Sequence, residues 1–504
     1  MKNSDFFQEY VRLVEALGKG QDPLLWWATD VASKNRFQTK LPALLQGFLA
    51  TGNRGEPVPA EGLIARGWMI FRISCYCALR AAWARVILGK LPLTRLKPGK
   101  TYVAKSFLYD SSFPLQGGYQ DPFFGGLIPF LNARSALMVV VDIQGDYGKA
   151  LKNIRANGAV DLVPWEYFLS WRDIIAAAWR LLRWSSKPVH HAVFFGHDVT
   201  DLVNDHLRAG GDRIQTQQFL HYFSVLNLCR SIDVDKILMT FESNPWEKMW
   251  ILAARRAGSR ALVLGYQHNV VPPASANMFI AQGEAGTTPL PDKILTAGAE
   301  PRRILGEFGA YPAGMLQTSC ALRMGHIFRE PFPRAGGRRV LVALEGVDGV
   351  RDMVAYVLDQ LGRHRDVQVR LRTHPVLPWR YFEERHGFSL KALPQVEVSA
   401  GSSLLEDIRE ADVVLYWGST VSMEALALGR PVVHFDNKAL LSFDPLFSCP
   451  HLKWTVGPGD ALMPVLESIL GLSNDDYTRE LVRAREYLKS YFYPVSDEAM
   501  ALFL

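Results

Sequence analysis

The spacing of apolar residues divides the chain into two regions. Over the first hundred residues, apolar clusters recur at helical spacing without the glycines and prolines that separate strands, as in FFQEYVRLVEAL and IARGWMIFRISCYCALRAAWARVIL. From residue 101 onward, short β-branched runs alternate with helical stretches. This alternation is typical of α/β layers built on a largely parallel sheet. The pattern therefore predicts a helical N-terminal extension over 1–100, followed by α/β structure.

The β-branched runs form two series, which predict two sheets. The segment between the series, IFREPFPRAGGRR, has the prolines, glycines and mixed charges of a linker. We therefore predict two Rossmann-like domains, 101–326 and 339–504, with a linker over 327–338 and the domain break between Gly325 and Arg339. Ligands of such sheets bind outside the carboxyl ends of the strands, so the predicted site is a cleft faced by both domains. The predicted strands are Ala136–Asp142, Ala192–Phe195, Lys236–Phe241, Ala261–Gly265, Lys293–Thr296, Arg339–Leu344, Val367–Arg372, Val396–Val398, Val413–Trp417 and Val432–Phe435.

Composition excludes several classes of protein. The chain has 504 residues, of which 48% are hydrophobic and 21% charged, so it can bury a large core and is not a disordered chain. A net charge of +6 is mild for this length and does not indicate a nucleic-acid binder. The five cysteines are scattered and form no CxxC pair. No Walker-type phosphate loop and no HExxH pattern occurs, which excludes the common ATPase and zinc-hydrolase motifs.

The segment YWGSTVSMEALALGRPVVHF carries the first chemical signal. A predicted strand runs into Gly418, Ser419 and Thr420, where a helix begins. Free amides at a helix start, together with hydroxyl groups, bind phosphate, and Glu424 one turn later is placed to accept hydrogen bonds from a ribose diol. The alternative is an ordinary pair of helix caps.

The second signal is RTHP, at the end of the predicted strand Val367–Arg372. His374 there is placed to stabilise charge on a leaving phosphate, the alternative being a turn histidine without that role. His374 precedes Ser419 by 45 residues, in a neighbouring α/β unit, so the two motifs are expected to share a pocket.

Two further segments, in the first predicted domain, supply candidate acids. Glu242 and Glu247 follow one strand, and Gln267 and His268 end the next, so all four are expected in the cleft. Asp121 lies in the loop GGYQDPFFGGL, whose aromatic rings suit stacking on a sugar, and is a candidate base for an acceptor hydroxyl. The alternatives are helix capping for the glutamates and a turn before proline for the aspartate.

Location is indicated by two cationic and aromatic segments. From Gly62 to Tyr109 there is no Asp or Glu, whereas nine Lys or Arg residues occur, and Trp165–Trp184 holds four tryptophans and three arginines. We predict contact with an anionic membrane surface, the alternative being core helices with solvated arginines. The first residues lack the apolar core of a signal peptide. The nearest candidate for a spanning helix, Gly67–Gly89, is interrupted by Arg72, Arg80 and Arg85, so no spanning helix is predicted. The expected location is cytoplasmic, with peripheral contact at the inner face of the cell membrane.

The Gly418 segment resembles the donor-binding stretch of GT-B glycosyltransferases, which have two Rossmann domains. Ser419, Thr420, Glu424, Gly429 and Pro431 match that pattern. The resemblance implies that 339–504 binds a nucleotide-sugar donor and that 101–326 binds the acceptor. It further implies that Ser419 and Thr420 hold phosphate, that Glu424 holds ribose, and that no metal or cofactor is needed.

The His-Pro and Ser/Thr pair resembles motifs of bacterial sialyltransferases and capsule Kdo transferases. This resemblance implies a CMP-activated acidic sugar as donor, a surface polysaccharide or lipid-linked glycan as acceptor, and His374 on the CMP phosphate. Sialyltransferases often carry two adjacent acids and a glycine before the His-Pro motif, whereas Glu345 and Asp348 are separated here. Glu345 is therefore expected in a turn that faces the nucleotide.

The segments around Glu242 and His268 are similar to those of uncharacterised bacterial surface-carbohydrate transferases. For the base, Asp121 ranks first, followed by Glu242 or Glu247. Two other functions stay open, a CDP-glycerol-type phosphotransferase and a nucleotide-sugar epimerase of the same fold. His268 and His374 fit the former, whereas the basic segment weighs against the latter, which needs no membrane.

Overall fold

The computed structural model describes residues 3–36, 38–53, 62–91, 100–114, 118–211, 216–324, 327, 329–334, 336–439 and 441–504. Within these ranges the chain forms two compact units. The first unit contains Asp5–Asn269, Ser275–Arg323 and Tyr493–Leu504, and the second is formed mainly by Val270–Ala274 and Met324–Phe492.

The first unit is built on a sheet of seven parallel strands. Their order is β3-β2-β1-β6-β7-β8-β9, so the order reverses between β1 and β6. Strands β4 and β5 form a separate antiparallel hairpin. The strands are β1 Thr101–Leu108, β2 Ala136–Ile143, β3 Asp161–Pro164, β4 Val193–Phe194, β5 His197–Asp198, β6 Lys236–Thr240, β7 Leu262–Gln267, β8 Lys293–Thr296 and β9 Leu316–Thr318.

Within the described residues, eleven α-helices come before Met324, and local capping chemistry sets the start of several of them. The helix beginning at Trp171 is capped by Ser170, whose hydroxyl accepts from the Asp173 amide, and the helix beginning at Pro245 is capped by Asn244. Within the described ranges, none of the helices combines the length and the apolar content needed to cross a bilayer. The helices are α1 Asn3–Gly18, α2 Asp30–Ser33, α3 Leu41–Thr51, α4 Leu63–Leu88, α5 Leu127–Asn132, α6 Tyr147–Ala156, α7 Trp171–Arg183, α8 Thr200–His206, α9 Thr216–Ser231, α10 Pro245–Arg256 and α11 Ala299–Phe308.

The second unit has a sheet of six parallel strands with an apolar core on its faces. The order is β12-β11-β10-β13-β14-β15, in which the fourth strand of the unit lies beside the first. The strands are β10 Arg339–Ala343, β11 Gln368–Arg372, β12 Val396–Val398, β13 Val413–Tyr416, β14 Val432–Phe435 and β15 Lys453–Val456. The helices are α12 Arg351–Leu361, α13 Trp379–His386, α14 Leu404–Glu410, α15 Val421–Ala427, α16 Leu462–Leu470 and α17 Asn474–Tyr491; α18 Asp497–Ala501 follows in the first unit.

The predicted class is confirmed: the chain is an α/β protein with two separate parallel sheets, and a helical region precedes them in the sequence. One predicted strand is wrong in kind, because 192–195 contributes only β4 of the small hairpin. Phe195 and Gly196 have φ of 49° and 75°, which turns the chain back at once. Strand β1 is absent from the predicted strands, because Lys105 and Ser106 break its apolar run.

Side-chain and backbone contacts assign the ends of the chain differently from the predicted boundaries. The Tyr493 amide donates to Ala297 O at 2.8 Å, and the Tyr102 hydroxyl donates to Leu504 O at 3.0 Å, so the C-terminal residues belong to the first unit. The described part of 327–338 belongs to the second unit, where Arg430 donates to Pro333 O at 2.8 Å. The division accordingly falls between Arg323 and Met324, just before the predicted range, whose first residue lies outside the described residues.

Candidate functional site

Polar residues converge where the strand order of the second sheet reverses. Ala343 at the end of β10 pairs with Tyr416 at the end of β13, so the residues that follow both strands lie at one edge. Across this edge the Gly418 amide donates to Glu345 Oε1 at 2.8 Å. The other oxygen, Oε2, is buried and has no hydrogen-bond partner among the described residues. Burial raises the pKa of Glu345 to about 7, although the neighbouring backbone amides lower it.

The turn after β13 is shaped by close contact with Phe443. A Cβ at residue 418 would lie 2.4 Å from the Cβ of Phe443, so glycine is required there. Ser419 and Thr420 follow, both half-buried, and the Ser419 hydroxyl accepts from the Val421 amide at 3.3 Å. The Gly418 amide, which the sequence analysis assigned to phosphate, already donates to a carboxylate. The two hydroxyl groups are therefore better placed to receive a ligand than this amide is.

His374 lies in the turn that follows β11, the neighbour of β10 on its other side. Its backbone oxygen accepts from the Leu377 amide at 2.9 Å, and its Nδ1 accepts from the Val376 amide at 3.2 Å. Because Nδ1 is an acceptor, the proton of the neutral ring resides on Nε2. A Cβ at Gly346 would lie 2.6 Å from His374 Nδ1, so the ring covers this glycine. The segment 345–346 thus contacts both predicted motifs and joins them at one edge.

The ribose candidate, Glu424, is half-buried in the first turn of α15. Gly429 ends this region with a φ of 83°, and its oxygen accepts from the Tyr477 hydroxyl. Arg430 is buried and donates to Ile408 O and Arg409 O at 3.1 and 2.8 Å, which caps the end of α14. The segment Gly429–Pro431 therefore has a structural role, because its contacts hold the ends of α14 and of the α15 region in place.

The carboxyl edge of the first sheet also has a polar pair, at the ends of the adjacent strands β6 and β7. Glu242 follows β6 and His268 follows β7, with 3.6 Å between Glu242 Oε1 and His268 Nε2. Asn269 Nδ2 donates to the same Glu242 oxygen at 2.9 Å, and Asn244 Nδ2 donates to Oε2 at 3.1 Å. The His268 ring stands edge-on to Phe123 at 5.0 Å, and burial lowers its pKa, while the nearby Glu242 carboxylate opposes that shift. These side chains form a carboxylate–imidazole pair in which Glu242 is about a quarter exposed.

Three other predicted residues have structural partners. The buried Glu247 carboxylate accepts from the Glu242 and Asn244 amides at 3.0 Å, and burial raises its pKa. Asp121 accepts from the Phe123 and Phe124 amides at 2.8 and 2.7 Å and from the Tyr119 hydroxyl at 2.6 Å. Gln267 is fully buried and accepts from the Ala297 amide at 3.0 Å, which ties β7 to β8. The contacts of Glu247 and Asp121 are of the capping and turn type, whereas that of Gln267 links two strands.

Lys105, in β1 of the first unit, is a further candidate residue that the sequence motifs did not indicate. Its Nζ is 3.4 Å from the Phe107 ring centroid and 4.4 Å from that of Trp246. It has no hydrogen-bond partner among the described residues, and burial lowers its pKa to about 8. The signal in the sequence was a lysine in the middle of the apolar run TYVAKSFL.

No group of three or more His, Cys, Asp or Glu residues within the described ranges is arranged to hold a metal ion. No family model matches the chain, and no curated protein matches it.

Solved structures show a distant similarity. MurG of Acinetobacter baumannii is 11% identical over 80% of this chain and 98% of its own, with a TM-score of 0.41. A UDP-N-acetylglucosamine 2-epimerase from Rickettsia bellii is 11% identical over 78% and 95%, with a TM-score of 0.44. The lipopolysaccharide outer core galactosyltransferase WaaB is 11% identical over 80% and 100%, with a TM-score of 0.42.

Proposed function

We propose that this protein is a glycosyltransferase that moves a sugar from a nucleotide donor to a hydroxyl group of a glycan. The observation that carries the proposal is the convergence of Glu345, His374 and the Gly418 turn at the carboxyl edge of the second sheet. That edge lies where the strand order reverses, between β10 and β13. In open α/β sheets, nucleotides bind at such points.

The donor is assigned to the second unit. His374 is exposed and carries a proton on Nε2, so it is suited to donate to an oxygen of the departing phosphate. Ser419 and Thr420 are assigned to the phosphate through their hydroxyl groups, and Glu424 is assigned to the ribose. Glu345 is assigned beside the phosphate in its protonated form, because its raised pKa lets it hold a proton near neutral pH.

The acceptor is assigned to the first unit, with Glu242 as the base. Asp121 ranks first on sequence grounds, but both of its carboxylate oxygens accept hydrogen bonds, three in total. Glu242, in contrast, is partly exposed and paired with His268. In the reaction, the acceptor oxygen bonds to the anomeric carbon as the bond from that carbon to the donor phosphate breaks. The electron pair leaves with the phosphate, and the hydroxyl proton passes to Glu242.

The finer assignment rests on motif resemblance. We propose a CMP-activated acidic sugar as donor, a surface polysaccharide or lipid-linked glycan as acceptor, and action without a metal or cofactor. The place of action in this proposal is the inner face of the cell membrane, with peripheral contact.

Thermal shift against CMP, CDP, UDP and GDP tests the proposal, because a ligand that binds only the folded state raises the melting temperature. We expect CMP to give the largest shift and His374→Ala to reduce it. His364→Ala, a half-buried histidine elsewhere in the second unit, is the matched control and should respond like the wild type. If no nucleotide shifts the melting temperature, or if His374→Ala responds normally, the donor assignment is wrong.

A further inference from the structure

The helices α4 and α7 expose an apolar surface on the first unit, although both are rich in arginine. On α4 the large side chains of the exposed stripe lie one or two helical turns apart, at intervals of three to eight residues, and on α7 they recur every three or four residues over three turns. All are at least 49% exposed, and Ile64 reaches 90%. Isolated exposed apolar residues are normal, whereas a continuous stripe on two helices marks an interaction surface. The stripes consist of Ile64, Trp68, Phe71, Leu79 and Val86 on α4 and of Trp171, Ile175, Trp179 and Leu182 on α7.

The arginines of α4 explain why this stripe faces outward. Arg66 donates to Leu181 O and Trp184 O, both at 2.8 Å. Arg80 is buried and donates to Ile143 O at 3.0 Å, and Arg85 donates to Tyr167 O at 2.8 Å. Three of the four arginines of this helix thus satisfy inward-lying carbonyl groups, which leaves apolar residues on its exposed side.

The same contacts make the two stripes neighbours. Arg66 near the start of α4 reaches the end of α7, whereas Arg85 near the end of α4 reaches the residues just before α7. The two helices are therefore antiparallel and lie side by side, and the Gly67 position approaches Leu182 to 3.7 Å. We call their joint exposed surface the α4–α7 face.

The charges of the face are of one sign. α4 contains no Asp or Glu, and the single acid of α7, Asp173, accepts from Ser170 and Asn227 within the fold. Arg172, Arg180 and Arg183 are exposed on α7, and the Arg183 guanidinium lies 3.8 Å from the Trp179 ring centroid. Exposed tryptophans between apolar side chains and cations suit the boundary between lipid headgroups and acyl chains.

We propose that the α4–α7 face docks on an anionic lipid bilayer, with its tryptophans and aliphatic side chains entering the interface and the α7 arginines contacting headgroups. A second copy of the chain fits less well, since a symmetric contact would bring cations against a face that lacks an exposed carboxylate on either helix. This proposal specifies the residues of the membrane contact in the proposed function, and it rests on that part of the proposed function only.

Vesicle co-sedimentation of the full chain tests the proposal, without donor or acceptor, so that docking and transfer can fail separately. Vesicles of 70% phosphatidylcholine and 30% phosphatidylglycerol are compared with pure phosphatidylcholine. We expect binding to the anionic vesicles, and a loss of at least tenfold in the partition coefficient for the triple variant Trp68→Glu, Ile175→Glu and Trp179→Glu. Val376→Glu with Val482→Glu, two exposed valines of the second unit, is the control and should bind like the wild type.

The arginines are tested separately. Replacing Arg172, Arg180 and Arg183 by Gln should lower binding to the anionic vesicles by roughly fivefold per residue at low salt. Arg363→Gln, Arg380→Gln and Arg479→Gln remove the same charge from exposed positions of the second unit and should have little effect. Absence of vesicle binding by the wild type, or equal binding by the glutamate triple variant, overturns the proposal. The proposal is also overturned if the wild type is a dimer that does not bind vesicles and the triple variant is a monomer.

Discussion

The imidazole of His374 lies directly over Gly346, with Nδ1 2.6 Å from the position that a Cβ on residue 346 would occupy. The residue before this glycine, Glu345, accepts the Gly418 amide. A two-residue segment after β10 therefore positions a histidine on one side and the Gly-Ser-Thr turn on the other. The parallel pairing of β10 with both β11 and β13 makes this possible.

Replacing Gly346 by alanine should displace His374 without unfolding the protein, because the ring is exposed and free to rotate away. We expect CMP affinity to fall and turnover to fall at least tenfold, since losing one donor to a developing charge costs on the order of 10²–10³ in rate. Gly459→Ala is the control, as a Cβ there meets nothing within 4 Å. In a His374→Ala background, Gly346→Ala should have no further effect; an additional loss would contradict this account.

The carboxyl group of Glu345, whose Oε2 is buried, should make stability depend on pH in a specific direction. Its pKa is about 7 in the folded protein against 4.5 for the ordinary group, so between these values the unfolded chain releases a proton that the folded protein retains. The stabilisation from this group is complete below about pH 4.5 and declines as pH rises to 7, by up to about 3 kcal/mol.

Glu345→Gln keeps an acceptor for the Gly418 amide and does not ionise. The free energy of unfolding of this variant, relative to wild type, should therefore be higher at pH 8 than at pH 5, as measured by urea denaturation. Glu383→Gln, at an exposed position of α13, should show the same difference from wild type at both pH values. A Glu345→Gln effect independent of pH would mean that the carboxyl group ionises normally.

Much of the second unit could be predicted from sequence, because its strands are short β-branched runs separated by helical stretches. The positions of Glu345, His374 and Gly418 at strand ends followed from those runs. The hydrogen bond between Glu345 and Gly418 did not, since it depends on the register of two strands separated by about seventy residues. Sequence spacing does not give that register.

The first unit was harder to predict for a different physical reason. Lys105 interrupts the apolar pattern of β1 and is accommodated by the faces of Phe107 and Trp246, which only the folded chain brings together. The arginines of α4 likewise look like solvated charges in sequence. Arg66 and Arg85 instead donate to carbonyl groups more than eighty residues away, so the exposed side of the helix could not be inferred.

Variants of Asp121 and Glu242 should separate a structural acid from a catalytic one. Asp121→Ala removes three hydrogen bonds, two of them from backbone amides, and should lower the free energy of unfolding by about 2–3 kcal/mol. Its turnover, measured below the melting temperature, should stay within about threefold of wild type.

Glu242→Gln should lower turnover by 10²–10⁴ and leave CMP affinity unchanged, because it removes the base and not the donor site. Glu307→Gln, on the exposed side of α11, is the matched control. A folded Asp121→Ala protein with no transfer activity and normal CMP affinity would return Asp121 to the role of base.

Nucleotide binding should be coupled to proton uptake at Glu345. In the proposed site, a phosphate dianion lies beside a carboxyl group with a pKa of about 7, and its charge favours the protonated form. Above pH 7, where the phosphate is already a dianion, the dissociation constant for CMP should rise by up to about tenfold per pH unit, since binding must recruit one proton.

Calorimetry in buffers of different ionisation enthalpy should show uptake of up to one proton at pH 8. Cytidine, which lacks the phosphate, should bind with little pH dependence, and Glu345→Gln should flatten the CMP profile. If wild type and Glu345→Gln give the same profile for CMP, the phosphate does not bind beside Glu345.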